Sequence, residues 1–174
     1  GAYAALAYIY RYIGDETSSI ANLERATFLN PTDASIKLEY THTLDWFRHQ
    51  IPALPEINKA IKLSPRDPRL ENMLFYKAHI QFHLFEFENS LTTTKEMSGV
   101  LTTDTWRVFY YLMRAANQAQ LGRNDSAKQS IQAALKVNPK LTLSAMRKRF
   151  KSSKNHPENR RFWLESLEKA GLPK

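Results

Sequence analysis

The sequence predicts an all-α chain: about four helix-turn-helix units in series, followed by a C-terminal helical cap. Three observations predict it. The chain matches itself at a constant offset of 108 residues, with Gly14 over Gly122, Ala26 over Ala134 and Asn30-Pro31 over Asn138-Pro139. Ala60 and Leu63-Ser64-Pro65 repeat Ala26 and Leu29-Asn30-Pro31 at a spacing of 34, and the 74 residues that remain divide into two units of 37. Apolar residues recur at helical spacing throughout, and strand-like alternation is absent.

Helices are expected over 2–13, 16–29, 33–48, 52–63, 69–85, 87–98, 104–121 and 124–137. Gly14 and Gly122 stand at the junctions within the first and fourth units, where a residue without Cβ adopts a left-handed conformation cheaply. Asp33 is placed to cap the third helix. Asp67 puts a capping carboxylate before Pro68 at a first helical position, and Thr103 or Asp104 serves the seventh helix. Pro52 and Pro55 fall in the first turn of the fourth, where a missing N–H costs least. Further on, Leu143, Met146 and Phe150 share one helical face. His156-Pro157-Glu158 opens a last helix with the stripe Trp163, Leu164, Leu167 and Ala170. Lys169, Gly171 and Pro173 close it with a cation, a residue suited to the left-handed region and a breaker. The expected division is a repeat array over 1–140 and a basic cap over 141–174.

Composition narrows the function. The 174 residues are 43% hydrophobic and 24% charged, a globular balance with enough chain to bury a core. With no Cys, thiolate nucleophiles, disulfides and Cys-based zinc sites are excluded. Five Gly leave neither a Walker loop nor a dinucleotide fingerprint. No apolar run approaches the roughly 20 residues needed to cross a bilayer. No signal peptide opens the sequence, and a cytoplasmic location is expected. The chain starts at Gly1-Ala2-Tyr3 with a helical pattern already running, as expected of a piece cut from a longer protein. Residues 136–174 supply all of the +8 net charge, because 14 basic and 14 acidic residues cancel over 1–135.

A 34-residue helix pair with these marks resembles the tetratricopeptide repeat (TPR) family. The small residue in the middle of each first helix is Ala7, Thr41, Ala78 and Ala115. The second-helix Ala is Ala26, Ala60 and Ala134, with Met97 in the third unit; the closing Pro is Pro31, Pro65 and Pro139, with Thr102 in the third. The third unit is thus degenerate. The resemblance implies a TPR-like α-solenoid, a right-handed superhelix whose first helices line a concave groove that binds proteins, with end units that need caps. The closing string from Arg161 to Pro173 also resembles the ending of bacterial multidomain proteins in which a TPR array follows a class III adenylate/guanylate cyclase or a winged-helix domain. That likeness implies the C-terminal region of a larger signalling protein.

Laid on the repeat, the groove takes Tyr8, Arg11 and Tyr12 from unit one; Leu38, His42, Asp45 and Trp46 from unit two; Phe75, His79, Phe82 and His83 from unit three; and Phe109, Leu112, Ala116 and Gln120 from unit four. Aromatic and His side chains suit a surface that grips an extended peptide or a partner helix. Tyr8, Tyr12, Trp46 and Phe82 are expected to supply apolar contact, and Arg11, Asp45 and His79 polar registration. The carboxylate clamp of chaperone-binding relatives is not expected, because Ala4, Tyr8, Glu39, Asn72 and Tyr76 stand near its places. His79 and His83 share a helical face, with His42 one unit earlier, but two imidazoles do not make a metal site and the Glu of a metalloprotease helix is missing. Neither metal nor cofactor is expected, and no set of nucleophile, base and charge stabiliser points to catalysis. The competing surface is the basic patch of Arg147, Lys148, Arg149, Lys151, Lys154, Arg160 and Arg161, which could meet the phosphates of nucleic acid or acidic lipid. No groove-reading motif accompanies it, so nucleic acid is the lesser expectation. Self-association through the open N-terminal face of Tyr3, Leu6 and Tyr10 is a third reading.

Overall fold

The described residues of the computed structural model, 1–151 and 157–174, form ten α-helices and no strand. They are α1 (Ala2–Ile13), α2 (Glu16–Leu29), α3 (Ala34–Trp46), α4 (Gln50–Leu63), α5 (Leu70–His83), α6 (Phe87–Met97), α7 (Asp104–Gln120), α8 (Asn124–Val137), α9 (Leu143–Lys151) and α10 (Pro157–Lys169). Each odd helix up to α7 pairs with the next even one, and each of α2, α4 and α6 meets the odd helix of the following unit. The odd helices also touch in series, so they form an inner layer and the even helices an outer one.

Small residues set the spacing of each pair. Ala7, Thr41, Ala78 and Ala115 are fully buried, and so are the residues twelve positions later, Ser19, Ala53, Ser90 and Ala127. Where that partner is Ser, its hydroxyl crosses the interface: Ser19 Oγ donates to the Ala7 carbonyl and Ser90 Oγ to the Ala78 carbonyl, both at 2.8 Å. A large side chain at any of these places would push the helices apart, at a cost of about 1–3 kcal/mol. Ala26, Ala60 and Ala134 are buried in the second helices, and Met97 fills the same place in unit three. The apolar core is continuous from Ala78 in α5 to Leu172 beyond α10, so units three and four share it with the C-terminal helices.

The local signals hold with three differences. Asp33 accepts from the backbone N–H of Ser35 and Ile36, and Thr103 from that of Trp106. Asp67, however, sits a turn before α5: its carboxylate takes the N–H and guanidinium of Arg69, and the helix begins at Leu70. α4 starts at Gln50, two residues earlier than expected, so Pro55 lies inside it rather than in its first turn. The third difference is in the turns. Gly14 and Gly122 have φ of 88° and 73°, as expected, but the same register in units two and three is held by Arg48 at 67° and Phe85 at 62°. Left-handed backbone costs a residue with a Cβ about 1–2 kcal/mol.

Candidate partner-binding groove

The inner layer presents the concave face, and its two ends differ. In unit one Tyr8 and Tyr12 are exposed at 54% and 65%. Arg11 between them is pinned: its guanidinium donates to Thr43 Oγ1 at 3.2 Å, lies 3.3 Å from Glu39 Oε2 and sits 5.3 Å from the centre of the Tyr8 ring. Next to it a cleft of about 320 Å³ runs between α3, α5 and the start of α7, lined by Glu39, His42, Arg69, Asn72 and Trp106. His42 stacks on Tyr76 with ring centroids 3.9 Å apart and lies 3.7 Å from Glu39. Burial pushes the His42 imidazole down to about 4 and the Tyr76 phenol up to about 12.

Deeper in, Asp45 lies 3.1 Å from His79 Nδ1 and accepts from Gln50 at 3.4 Å. Burial alone would raise the Asp45 carboxyl, but the imidazoles of His79 and His83 outweigh it and hold it below the usual carboxylate range. His83 Nε2 faces His79 Nε2 at 3.2 Å, so one ring donates and the other accepts. Burial, with His79 adding to it, pushes His83 down to about 3. Phe75 joins this row to α7, 5.7 Å from Trp106 and 5.2 Å from Phe109 between ring centroids.

α10 runs across the far end of the same face. Phe162 stacks on Phe82 at 4.9 Å and meets Phe85 at 5.5 Å; Trp163 stands edge-on to Phe82 at 5.4 Å and 6.2 Å from His79. Glu158 at the start of α10 pairs with Arg48, and Ser166 accepts from Gln120 at 2.6 Å. The last segment is tied down where the Pro173 carbonyl accepts the N–H of Leu143 at 2.7 Å. The helix expected to cap the end of the stack therefore also fills the groove of units three and four.

This changes the roles of several expected contact residues. Phe82 has no exposed surface, because Phe162 and Trp163 cover it. Asp45 is buried beneath His79 and cannot register a ligand from where it stands. Trp46, Phe75, His79 and His83 are half-buried. Tyr8 and Tyr12 remain on open surface, while Arg11 and His42 are half-buried as well, His42 lining the cleft and Arg11 lying beside it against Glu39. His42 stands against Tyr76 and Glu39, and among the described residues no three His, Asp or Glu converge as a metal ion needs. In the basic patch Arg147 lies 3.8 Å from Glu168 and Arg161 3.6 Å from Glu165, while Lys148 is exposed and Arg160 half-buried. Lys154 lies outside the described residues, as do the side chains of Arg149, Phe150 and Lys151. At the N-terminal face Tyr3 and Leu6 are exposed with Ile9 and Ile13, while Tyr10 is half-buried. Sequence reasoning missed Arg48 and Phe85, although the signal was present: both fall in the register of Gly14, where the repeat calls for glycine.

Residues 1–33 and 110–141, which contain the first unit and most of the fourth, match the family model of the tetratricopeptide repeat. Among solved structures the chain is similar to the MamA protein, with a TM-score of 0.71 and 15% identity over 96% of this chain and 89% of that one. It is similar to YrrB, described as a TPR protein with an unusual peptide-binding site, with a TM-score of 0.63 and 16% identity over 97% and 82%. It is also similar to a thermophilic TPR protein of Thermus thermophilus, with a TM-score of 0.61 and 21% identity over 97% and 90%. No curated protein sequence matches it. At these identities the likeness is one of fold, and the fold is a TPR-like α-solenoid. None of the described helices is long and apolar enough to cross a membrane.

Proposed function

We propose that this TPR-like array is a non-catalytic interaction scaffold that holds a peptide or helix of a protein partner against the open half of its concave face. Tyr8 and Tyr12 supply the apolar contact, and Arg11 and His42 the polar rim. The observation that carries this reading is the exposure of two aromatic rings on the inner layer beside a side chain already fixed in place by Thr43 and Glu39. Exposed Tyr next to an ordered Arg gives contact area at little entropic cost. The likeness to YrrB, whose own description names a peptide-binding site, supports the same reading.

The groove is preferred over the basic patch because Arg147 and Arg161 each already face a carboxylate. We further infer a parent in the bacterial signalling class, an adenylate cyclase among them, on the closing string from Arg161 to Pro173, and a cytoplasmic setting. Capture of partners on the immobilised chain at low and high salt tests the surface. A protein retained at high salt and lost with Tyr8→Ala plus Tyr12→Ala is the expected result, since apolar contact is weakly screened. Retention only at low salt, abolished by reversing Arg147 and Lys148, would move the function to the basic patch.

A further inference from the structure

We propose that the far half of the concave face is a receptor for an amphipathic helix, occupied here by α10, and that a partner helix of the same pattern binds by displacing it. The pattern is an acidic residue followed four and five positions later by two aromatics, as in Glu158, Phe162 and Trp163. The inference rests on the reading that the concave face is the binding surface, and it names the partner's chemistry for the half that reading leaves covered.

Three observations converge. First, α10 meets the face as a ligand helix would: two adjacent rings enter an aromatic floor of Phe82, His79 and Phe85, and polar pairs fix the register at Arg48–Glu158 and Gln120–Ser166. Second, the two receptor turns that touch it are the two that break the repeat. Arg48 and Phe85 occupy left-handed backbone that glycine holds in the other units. A bulky residue persists in that region when its side chain has work to do, and these two side chains reach α10. Phe85 is nonetheless 67% exposed, so the contact leaves room for a larger partner. Third, the floor is polar beneath the rings. Asp45, buried, and His79 and His83, half-buried, form a polar row there; a core that only had to hold α10 would be better served by apolar residues.

The test uses the full chain and a fluorescein-labelled synthetic peptide with the sequence of residues 157–174, followed by anisotropy. In Phe162→Ala plus Trp163→Ala the tethered helix loses its rings, and the peptide binds at least tenfold more tightly than to the unaltered chain. Adding Arg48→Gly and Phe85→Gly weakens it at least tenfold again, although both changes relax the backbone. A double-alanine chain that keeps its helical circular dichroism and gains no affinity overturns the proposal. Should that variant unfold, hydrogen exchange on the unaltered chain decides: α10 amides exchanging at least tenfold faster than those of α7 support displacement, and the two exchanging together overturn it. A dimer of the unaltered chain seen by light scattering, with α10 exchanged between copies, would overturn the partner helix in favour of a second copy. Tyr8→Ala with Tyr12→Ala leaves the peptide titration unchanged, so the open-half reading and this one fail separately.

Discussion

Units one and four turn on Gly14 and Gly122, whereas units two and three turn on Arg48 and Phe85. The glycine turns carry no side chain, and a Cβ built at either meets nothing within 4 Å. The other two carry side chains that reach α10, one through the Glu158 ion pair and one through the Phe162 ring. The same contrast divides the concave face: near unit one the inner layer is open and Tyr-rich, and over units three and four it lies beneath the chain's own helix. The repeat is thus kept where it only has to turn, and broken where the turn also has to hold something. At the turns of units two and three the departure from glycine goes together with contact to α10.

The comparison can be broken most sharply at its covered end. Phe82→Ala empties the floor under Phe162 and Trp163 and costs about 3–5 kcal/mol, read as a lowered midpoint in urea. A loss below about 1 kcal/mol would mean the floor is not packed as described. The second effect is of pH. His42 and His83 titrate at about 4 and about 3 in the folded chain, against about 6.5 when unfolded. The unfolded state therefore takes up these protons first, so their contribution to stability is complete above about pH 6.5 and is lost as pH falls towards 4. The thermal midpoint drops between pH 7 and pH 4.5, and His83→Phe flattens part of that drop; an unchanged slope would remove His83 from the account. The smallest effect sharpens the contrast between turns. Gly122→Ala costs about 1–2 kcal/mol by backbone alone, with no change in α10 hydrogen exchange. Loss of α10 protection in that variant would erase the difference between the two kinds of turn.

Much of the fold was legible because it is written in local chemistry. Gly14 and Gly122 needed only their own backbone preference, Asp33 and Thr103 only a neighbouring N–H, and Ala7, Ala78 and Ala115 only the closeness of a paired helix. Asp67 lies outside the helix it was expected to cap because its carboxylate takes the N–H and guanidinium of Arg69, and Pro55 lies two residues deeper in α4 because that helix begins at Gln50. The groove was legible as a face and not as a surface. Residues such as Phe82 were placed on the right side of α5, but spacing within a helix does not report what lies on top of it.

By itself, then, the sequence determined an all-α repeat stack, its helix pairs and the residues that face inward, because these follow from periodicity and from contacts within one unit or between adjacent ones. Only the tertiary structure decided which of the inward residues meet solvent. That depends on α10, whose contacts with Arg48, Phe82 and Phe85 join residues more than seventy positions apart. The ring contacts form because two apolar surfaces exclude water together, with the Arg48–Glu158 ion pair beside them, and no repeat period encodes where a helix outside the repeat will lie.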